Sequence, residues 1–126
     1  MKITELRREF SHRLSLDIND DYGTEECWNQ LTKMLVENVS ETIAFINNEC
    51  TDEEFFWFSE VFSDVSEKVQ SKELVEAMRA RLAKVTRKTY DQSSFNSEHM
   101  RKWVDYDEYA RSVGMEIGYA EGALNE

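Results

Sequence analysis

Apolar side chains recur along this chain at the three- and four-residue spacing of amphipathic helices, and the alternation typical of strands is not sustained anywhere. The clearest segment runs from Thr51 to Gln70. Thr51 and Glu54 have capping-box spacing, in which a hydroxyl and a carboxylate bond the free N–H groups at a helix start, so a helix is predicted to begin there. Its expected inward-facing residues are Phe55, Phe58, Val61, Phe62, Val65 and Val69.

The opposite side of the same helix combines carboxylates with large aromatic side chains. At about 100° per residue, Phe56 and Trp57 fall among acidic residues and away from the apolar side. We expect this side to contact a partner protein through Glu53, Phe56, Trp57, Glu60, Asp64 and Glu67. The alternative is a helix in the middle of a bundle, with Trp57 in the core and Phe56 alone exposed.

Similar patterns predict helices along the rest of the chain, which has no proline and four glycines. One helix is predicted over residues 2–14, and polar residues mark loops over 17–23 and 89–96. Later helix starts are predicted at Thr24, Ser40, Ser71 and either Ser97 or Asp105. Expected inward-facing residues are Ile3, Leu6, Phe10, Leu14, Trp28, Leu31, Leu35, Ile43, Ala44, Ile46, Leu74, Met78, Leu82, Val85, Tyr106, Tyr109, Val113, Ile117 and Ala120. The sequence therefore predicts an all-α protein, with residues 1–126 forming a single compact bundle of five or six helices.

The last predicted helix carries a second stripe of small residues: Ala110, Gly114, Gly118 and Gly122. Small side chains on one face allow a second helix to approach closely, and each glycine otherwise costs roughly 1 kcal/mol relative to alanine. The stripe is expected either to pack closely, within one chain or between two, or to leave the helix end frayed. The oligomeric state stays open.

The net charge of −11 is unevenly distributed along the chain. Residues 17–76 carry 16 acidic and 3 basic side chains, whereas residues 77–102 carry 2 acidic and 7 basic ones. Such an acidic segment repels phosphate backbones and attracts basic proteins, so we expect a basic protein partner and no direct nucleic-acid binding. The alternatives are that the acidity only maintains solubility, and that the basic residues of 77–102 complement a helix dipole or form a patch of their own.

Compartment and cofactor chemistry follow from what the sequence lacks. No apolar run reaches the roughly 20 residues of a membrane span, and no secretory signal is recognised at the N-terminus. Cys27 and Cys50 lack CxxC spacing and are expected to be reduced thiols in a cytoplasmic protein, with a disulfide as the minority alternative. His12 and His99 have no HxxxH or HxH partner. We therefore expect no catalytic residues, no metal and no cofactor, and a protein that is not an enzyme.

The stretch Phe58-Ser-Glu-Val-Phe-Ser-Asp-Val-Ser-Glu-Lys-Val-Gln-Ser-Lys-Glu-Leu-Val75 resembles a segment of small bacterial immunity proteins, which are encoded beside polymorphic or contact-dependent growth inhibition toxins. The resemblance extends less strongly over residues 24–88. Where such proteins tend to continue with Lys-Tyr-Pro, this chain has Lys84-Val-Thr-Arg87, and residues from 89 onward match nothing in the family.

The resemblance implies an antitoxin that binds a cognate toxin domain and covers its basic active-site or substrate-binding surface. A nuclease, and within that class a ribonuclease, is the expected target. Two alternatives are an acidic helical regulatory or adaptor domain that binds another basic protein, and a small metal-dependent hydrolase.

Overall fold

The computed structural model describes residues 3–16, 19–91, 95 and 104–125, and within them it contains helices and no strand. The helices are α1 (Ile3–Ser15), α2 (Asp21–Val36), α3 (Val39–Asn48), α4 (Asp52–Phe58), α5 (Phe62–Val69), α6 (Lys72–Ala83) and α7 (Tyr106–Gly122). A 3-10 turn, Ser59–Val61, joins α4 to α5 without a loop. The predicted all-α fold is confirmed, and counting residues 52–69 as one interrupted helix gives six helical segments in this part of the chain.

Several predicted helix starts are confirmed by the side chains that cap them. The Thr51 hydroxyl accepts a hydrogen bond from the Glu54 N–H at 3.1 Å, and the Glu54 carboxylate accepts one from the Thr51 N–H at 3.0 Å. Ser71 caps α6 by accepting from Leu74 N–H, and Asp105 caps α7 by accepting from Glu108 N–H. The alternative start at Ser97 lies outside the described residues.

Two predicted starts are wrong. Helix α2 begins after Asp20, whose carboxylate accepts from the Gly23 N–H at 2.8 Å, so residues 21–23 are helical and do not belong to a loop. Helix α3 begins after Asn38, which accepts from the Glu41 N–H at 3.1 Å, and Ser40 lies inside the helix. In both places another residue that favours caps precedes the predicted one and satisfies the helix N-terminus earlier.

The helix predicted from Thr51 is interrupted by the 3-10 turn Ser59–Val61. The Ser59 hydroxyl donates to the Phe56 carbonyl, and a serine that bonds to the preceding turn in this way tends to bend a helix. Phe55 and Phe58 before the turn and Phe62 and Val65 after it are all buried as expected, so the apolar stripe faces inward on both sides of the interruption.

The interrupted helix lies in the middle of the bundle. Helix α5 packs against α2 on one side and α7 on the other, while α1 packs on α2, and α6 packs against α3 and α7. The closest approach uses Ser66, which is fully buried and donates to the Ala120 carbonyl at 2.6 Å. At the end of α5, Gln70 adopts a left-handed conformation with φ 49°, and its amide bonds the Ala123 carbonyl at 2.9 Å.

The small-residue stripe does not provide this close packing. A methyl group on Gly114 would meet Leu82 at an ordinary contact distance of 3.7 Å, and nothing in the described part of the chain lies within 4 Å of one on Gly118 or Gly122. Gly118 and Gly122 are exposed. Among the described residues the stripe makes no close helix contact, and Ala120, on the other stripe, accepts the hydrogen bond from Ser66 of α5.

The inward-facing side chains are mostly as predicted, with informative exceptions. Ala44 is exposed, and its neighbour Phe45 is buried in its place. Trp28 is 37% exposed, although it had been placed on the inward stripe of α2. Phe95, which lies in the predicted 89–96 loop, is buried beside Tyr90 and Tyr109 at ring-centroid distances of 6.0 and 6.4 Å.

Two further observations concern the described helices and their core. No helix among them has the length and apolarity required to cross a membrane. A cavity of about 10 Å³ lies in the core between Leu35, Phe45, Phe58 and Met78. Because small-molecule sites usually occupy about 300 to 1,000 Å³, this cavity does not provide a substrate pocket.

Candidate partner-binding surface

The first predicted partner-binding residue, Glu53, is only 4% exposed, and its expected position on the outer surface is corrected. Its neighbour Glu54 is equally buried and accepts hydrogen bonds from the Arg7 guanidinium at 2.9 and 3.4 Å. Helix α4 lies inside the bundle, so these two glutamates are buried along with Phe55 and Phe58.

Phe56 is half-buried and belongs to an aromatic cluster. Its ring centroid lies 5.6 Å from that of Tyr109, 6.3 Å from Phe95 and 6.0 Å from Trp57. Rings at these separations attract one another, which fixes the orientation of Phe56 from within the chain. A partner would therefore meet the edge of a packed cluster at this position and not a freely projecting side chain.

Trp57 and Glu60 contact the same arginine of the N-terminal helix. The guanidinium carbon of Arg13 lies 4.7 Å from the centroid of the Trp57 ring, and Arg13 Nη2 lies 3.1 Å from Glu60 Oε2. Arginine over an indole face gains cation–π attraction, and a carboxylate at the guanidinium edge adds a charge-assisted hydrogen bond. The two residues predicted to bind a partner's basic side chain thus hold a basic side chain of their own chain.

Arg13, Trp57 and Glu60 each contain a buried polar atom without a hydrogen-bond partner in the described part of the chain, which costs free energy of folding. Within the described residues, Arg13 Nε, Trp57 Nε1 and Glu60 Oε1 are buried and make no hydrogen bond. Burial raises the pKa of Glu60, whereas Arg13 and Trp28 oppose that shift. Buried polar groups without a protein partner cost free energy, so these three atoms lower the net stability that the Arg13 contacts contribute.

An acidic face adjoins this group along α5 and α7. Asp64 and Glu67 are exposed and follow Glu60 at spacings of four and three residues. Glu116 of α7 lies close enough for repulsion from Glu60 and Asp64 to raise its pKa, after a larger contribution from burial. We call Glu60, Asp64, Glu67 and Glu116 the acidic face, on which Glu60 of the 3-10 turn and Asp64 of α5 repel the carboxylate of Glu116.

The acidic face has exposed aromatic side chains at its margins that the sequence pattern did not nominate. Trp28 lies on α2 near Glu60, and Tyr119, 57% exposed, lies one helical turn from Glu116 on α7. Glu116 itself was missed because nothing in the linear pattern relates it to Glu60 and Asp64. The sequence did contain one signal for Trp28, its position beside Glu25 and Glu26, because an indole with an apolar body and a polar N–H suits the boundary of an apolar stripe.

Comparison with known proteins identifies no relative of this chain. No protein-family model matches it, and no curated protein and no solved structure gives a significant match.

Proposed function

We propose that this protein is an immunity protein that binds a cognate bacterial toxin domain and neutralises it. The toxin is a nuclease, preferentially a ribonuclease, and the immunity protein covers its basic active-site or substrate-binding surface. The resemblance of residues 58–75 to immunity proteins of contact-dependent growth inhibition systems supplies the biological context.

The observation that carries the proposal is the way Trp57 and Glu60 hold the Arg13 guanidinium beside an acidic face. The proposal is supported by the chemistry of this contact, in which a ring lies under the cation and a carboxylate lies at its edge, an arrangement suited to arginine. The neighbouring Asp64 and Glu67 are exposed and extend the same charge outward. A nuclease surface rich in lysine and arginine is complementary to this arrangement.

Inhibition would require no chemistry from the immunity protein itself. Nucleases bind polyanions through basic side chains, and a partner presenting carboxylates competes directly for those side chains. Relief of the repulsion between Glu116 and its acidic neighbours would favour the complex further. Electrostatic steering would also speed association, which an antidote requires because the toxin acts as soon as it is free.

We expect a toxin domain among the neighbouring genes, and the test co-expresses that domain with this protein, scoring growth rescue and co-purification. The informative variant is Asp64→Lys with Glu67→Lys, because both side chains are exposed. Glu60 is less suitable because it pairs with Arg13. We expect the association rate at low salt to fall at least about tenfold and its salt dependence to weaken.

The matched control reverses the same number of charges elsewhere. Glu73→Lys with Glu76→Lys alters two exposed residues of α6 and should leave binding and rescue close to wild type. Equal affinities for the two double variants would remove the acidic face from the interface. Rescue without any complex would contradict direct neutralisation, and binding only to a basic protein unrelated to a toxin would favour the adaptor alternative.

A further inference from the structure

Three metal-ligating side chains meet where α1 packs on α2. Glu9 and His12 lie one turn apart on α1, and Cys27 projects from α2. His12 Nδ1 lies 3.4 Å from Cys27 Sγ and 3.6 Å from Glu9 Oε1, and the donor atoms of all three residues lie within 4.8 Å of one another. Two residues from one helix turn and a third from the packed neighbour form a compact set of nitrogen, oxygen and sulfur donors.

These separations match the edges of a tetrahedral metal site. Zinc binds cysteine sulfur at about 2.3 Å and histidine nitrogen or carboxylate oxygen at about 2.0 to 2.2 Å, which places neighbouring ligand atoms about 3.3 to 3.6 Å apart. The two distances from His12 Nδ1 already have that length. The third edge, between Cys27 Sγ and the Glu9 carboxylate, is no longer than 4.8 Å, so a carboxylate shift of roughly 1 Å brings it to this length.

We propose that Glu9, His12 and Cys27 form a Zn²⁺ site with three protein ligands. The donor set is selective: a thiolate and an imidazole favour zinc over magnesium or calcium, which prefer oxygen ligands. One thiolate and one carboxylate neutralise the charge of the ion. The side chain of His12 is 55% exposed while Cys27 is fully buried, so the ion would lie at the rim of the helix pair with its fourth position open to water.

A different arrangement accounts for the same contacts without an ion. A thiol–imidazole hydrogen bond and a Glu–His pair at i,i+3 spacing would also keep these side chains together. The two arrangements differ in measurable ways, because only the metal site requires a thiolate and gives a fixed stoichiometry.

The binding experiment titrates the full chain with Zn²⁺ in competition with a chromophoric chelator. We expect one ion per chain, and no binding of Mg²⁺ or Ca²⁺ under the same conditions. Cys27→Ser and His12→Gln should each lower the Zn²⁺ affinity by roughly a hundredfold or more, since loss of an outer-shell partner alone usually costs ten- to a hundredfold. Cys50→Ser is the matched control, because it removes the other buried thiol and should leave the affinity unchanged.

Cobalt supplies an independent readout of the cysteine. Co²⁺ in the site should show a thiolate-to-metal charge-transfer band and the intense visible bands of tetrahedral coordination, and Cys27→Ser should abolish the former. His12→Gln keeps the test decisive if the buried cysteine variant unfolds, because the His12 side chain is largely exposed and its replacement leaves the core untouched.

Equal Zn²⁺ affinity in wild type, His12→Gln and Cys27→Ser would overturn the site, as would a cobalt spectrum without a charge-transfer band. The inference does not depend on the proposed function. Toxin binding is scored by rescue and co-purification, whereas the zinc site is scored on the isolated protein, so failure of one leaves the other standing.

Discussion

At the scale of single residues, Arg13 has the largest influence on how the candidate surface should be understood. The sequence pattern predicted that Trp57 and Glu60 share a side of their helix, and both do contact the same guanidinium. The sequence could not predict that this guanidinium belongs to α1, because the periodicity of one helix does not specify which other helix packs against it. Whether the six nominated residues bind a partner stays a prediction.

Glu116→Gln should stabilise the protein at neutral pH. Burial and repulsion from Glu60 and Asp64 raise the pKa of Glu116 above its usual 4.5, so the folded protein holds this proton more tightly than the unfolded chain does. The protonated Glu116 carboxyl therefore contributes fully to stability below about pH 4.5, and this contribution is lost as the pH rises through the raised pKa of the folded protein. At pH 7 the glutamine variant should gain about 0.5 kcal/mol or less, because solvent screens the partly exposed carboxylate.

Urea unfolding of this variant at pH 7 and pH 4 measures the effect. The gain should disappear at the lower pH, and Glu76→Gln, an exposed replacement on α6, should show no comparable difference. A gain that is the same at both pH values would contradict the assigned repulsion.

At the scale of elements, helix existence was predicted better than helix boundaries. Asp20 and Asn38 cap α2 and α3, whereas Thr24 and Ser40 had been expected to, because short polar side chains a few residues apart are chemically equivalent candidates. The turn within 59–61 was missed for a related reason. A serine hydroxyl can face solvent or bond to the preceding turn, and packing of the surrounding apolar residues decides between them.

Gly118→Ala should stabilise α7 by about 1 kcal/mol. The position is helical and exposed, and an added methyl group meets nothing within 4 Å in the described part of the chain, so the gain in helix propensity is not opposed by a clash. The free energy of unfolding from urea denaturation, with sedimentation of both proteins, provides the measurement. A loss of stability accompanied by dissociation would instead show that the glycine packs against a second copy.

At the scale of the whole molecule, ion pairs between distant segments set how the helices are joined. Arg7 pairs with Glu54 and Arg13 with Glu60, and each pair spans 47 residues, so α1 runs parallel to the interrupted helix that it partly covers. In the basic region, Arg79 pairs with Glu121, Arg81 with Asp52 and Arg87 with Asp107. The basic residues of this region were expected to complement a helix dipole or to form a patch of their own. In the structure these three also form ion pairs with residues of other segments.

Arg81→Met should cost about 2 to 4 kcal/mol of stability. Arg81 is 8% exposed and donates to the Cys50 carbonyl at 2.9 Å and to the Asp52 carboxylate at 2.6 Å, while Tyr109 donates to the Asp52 carbonyl from α7. Methionine preserves much of the apolar contact but leaves the buried Cys50 carbonyl and the partly exposed Asp52 carboxylate without their donor.

The matched control is Arg79→Met. Its pair with Glu121 is short, 2.6 Å, but both side chains are nearly half exposed, so its loss should cost between about 0 and 1 kcal/mol. Urea denaturation of the two variants at pH 7 provides the comparison. Equal losses would mean that burial does not distinguish the two pairs.

The sequence by itself determined the helical class, the capping box at Thr51 and most of the buried residues, because helix periodicity and capping depend on neighbours within four positions. It also placed Trp57 and Glu60 on one side of a helix. Only the tertiary structure decided that Glu53 is buried, that Arg13 covers Trp57, that Glu116 joins the acidic face and that Cys27 meets Glu9 and His12. Each of these depends on contacts between helices far apart in the chain, and the local periodicity of one helix does not specify which residues of another will lie against it.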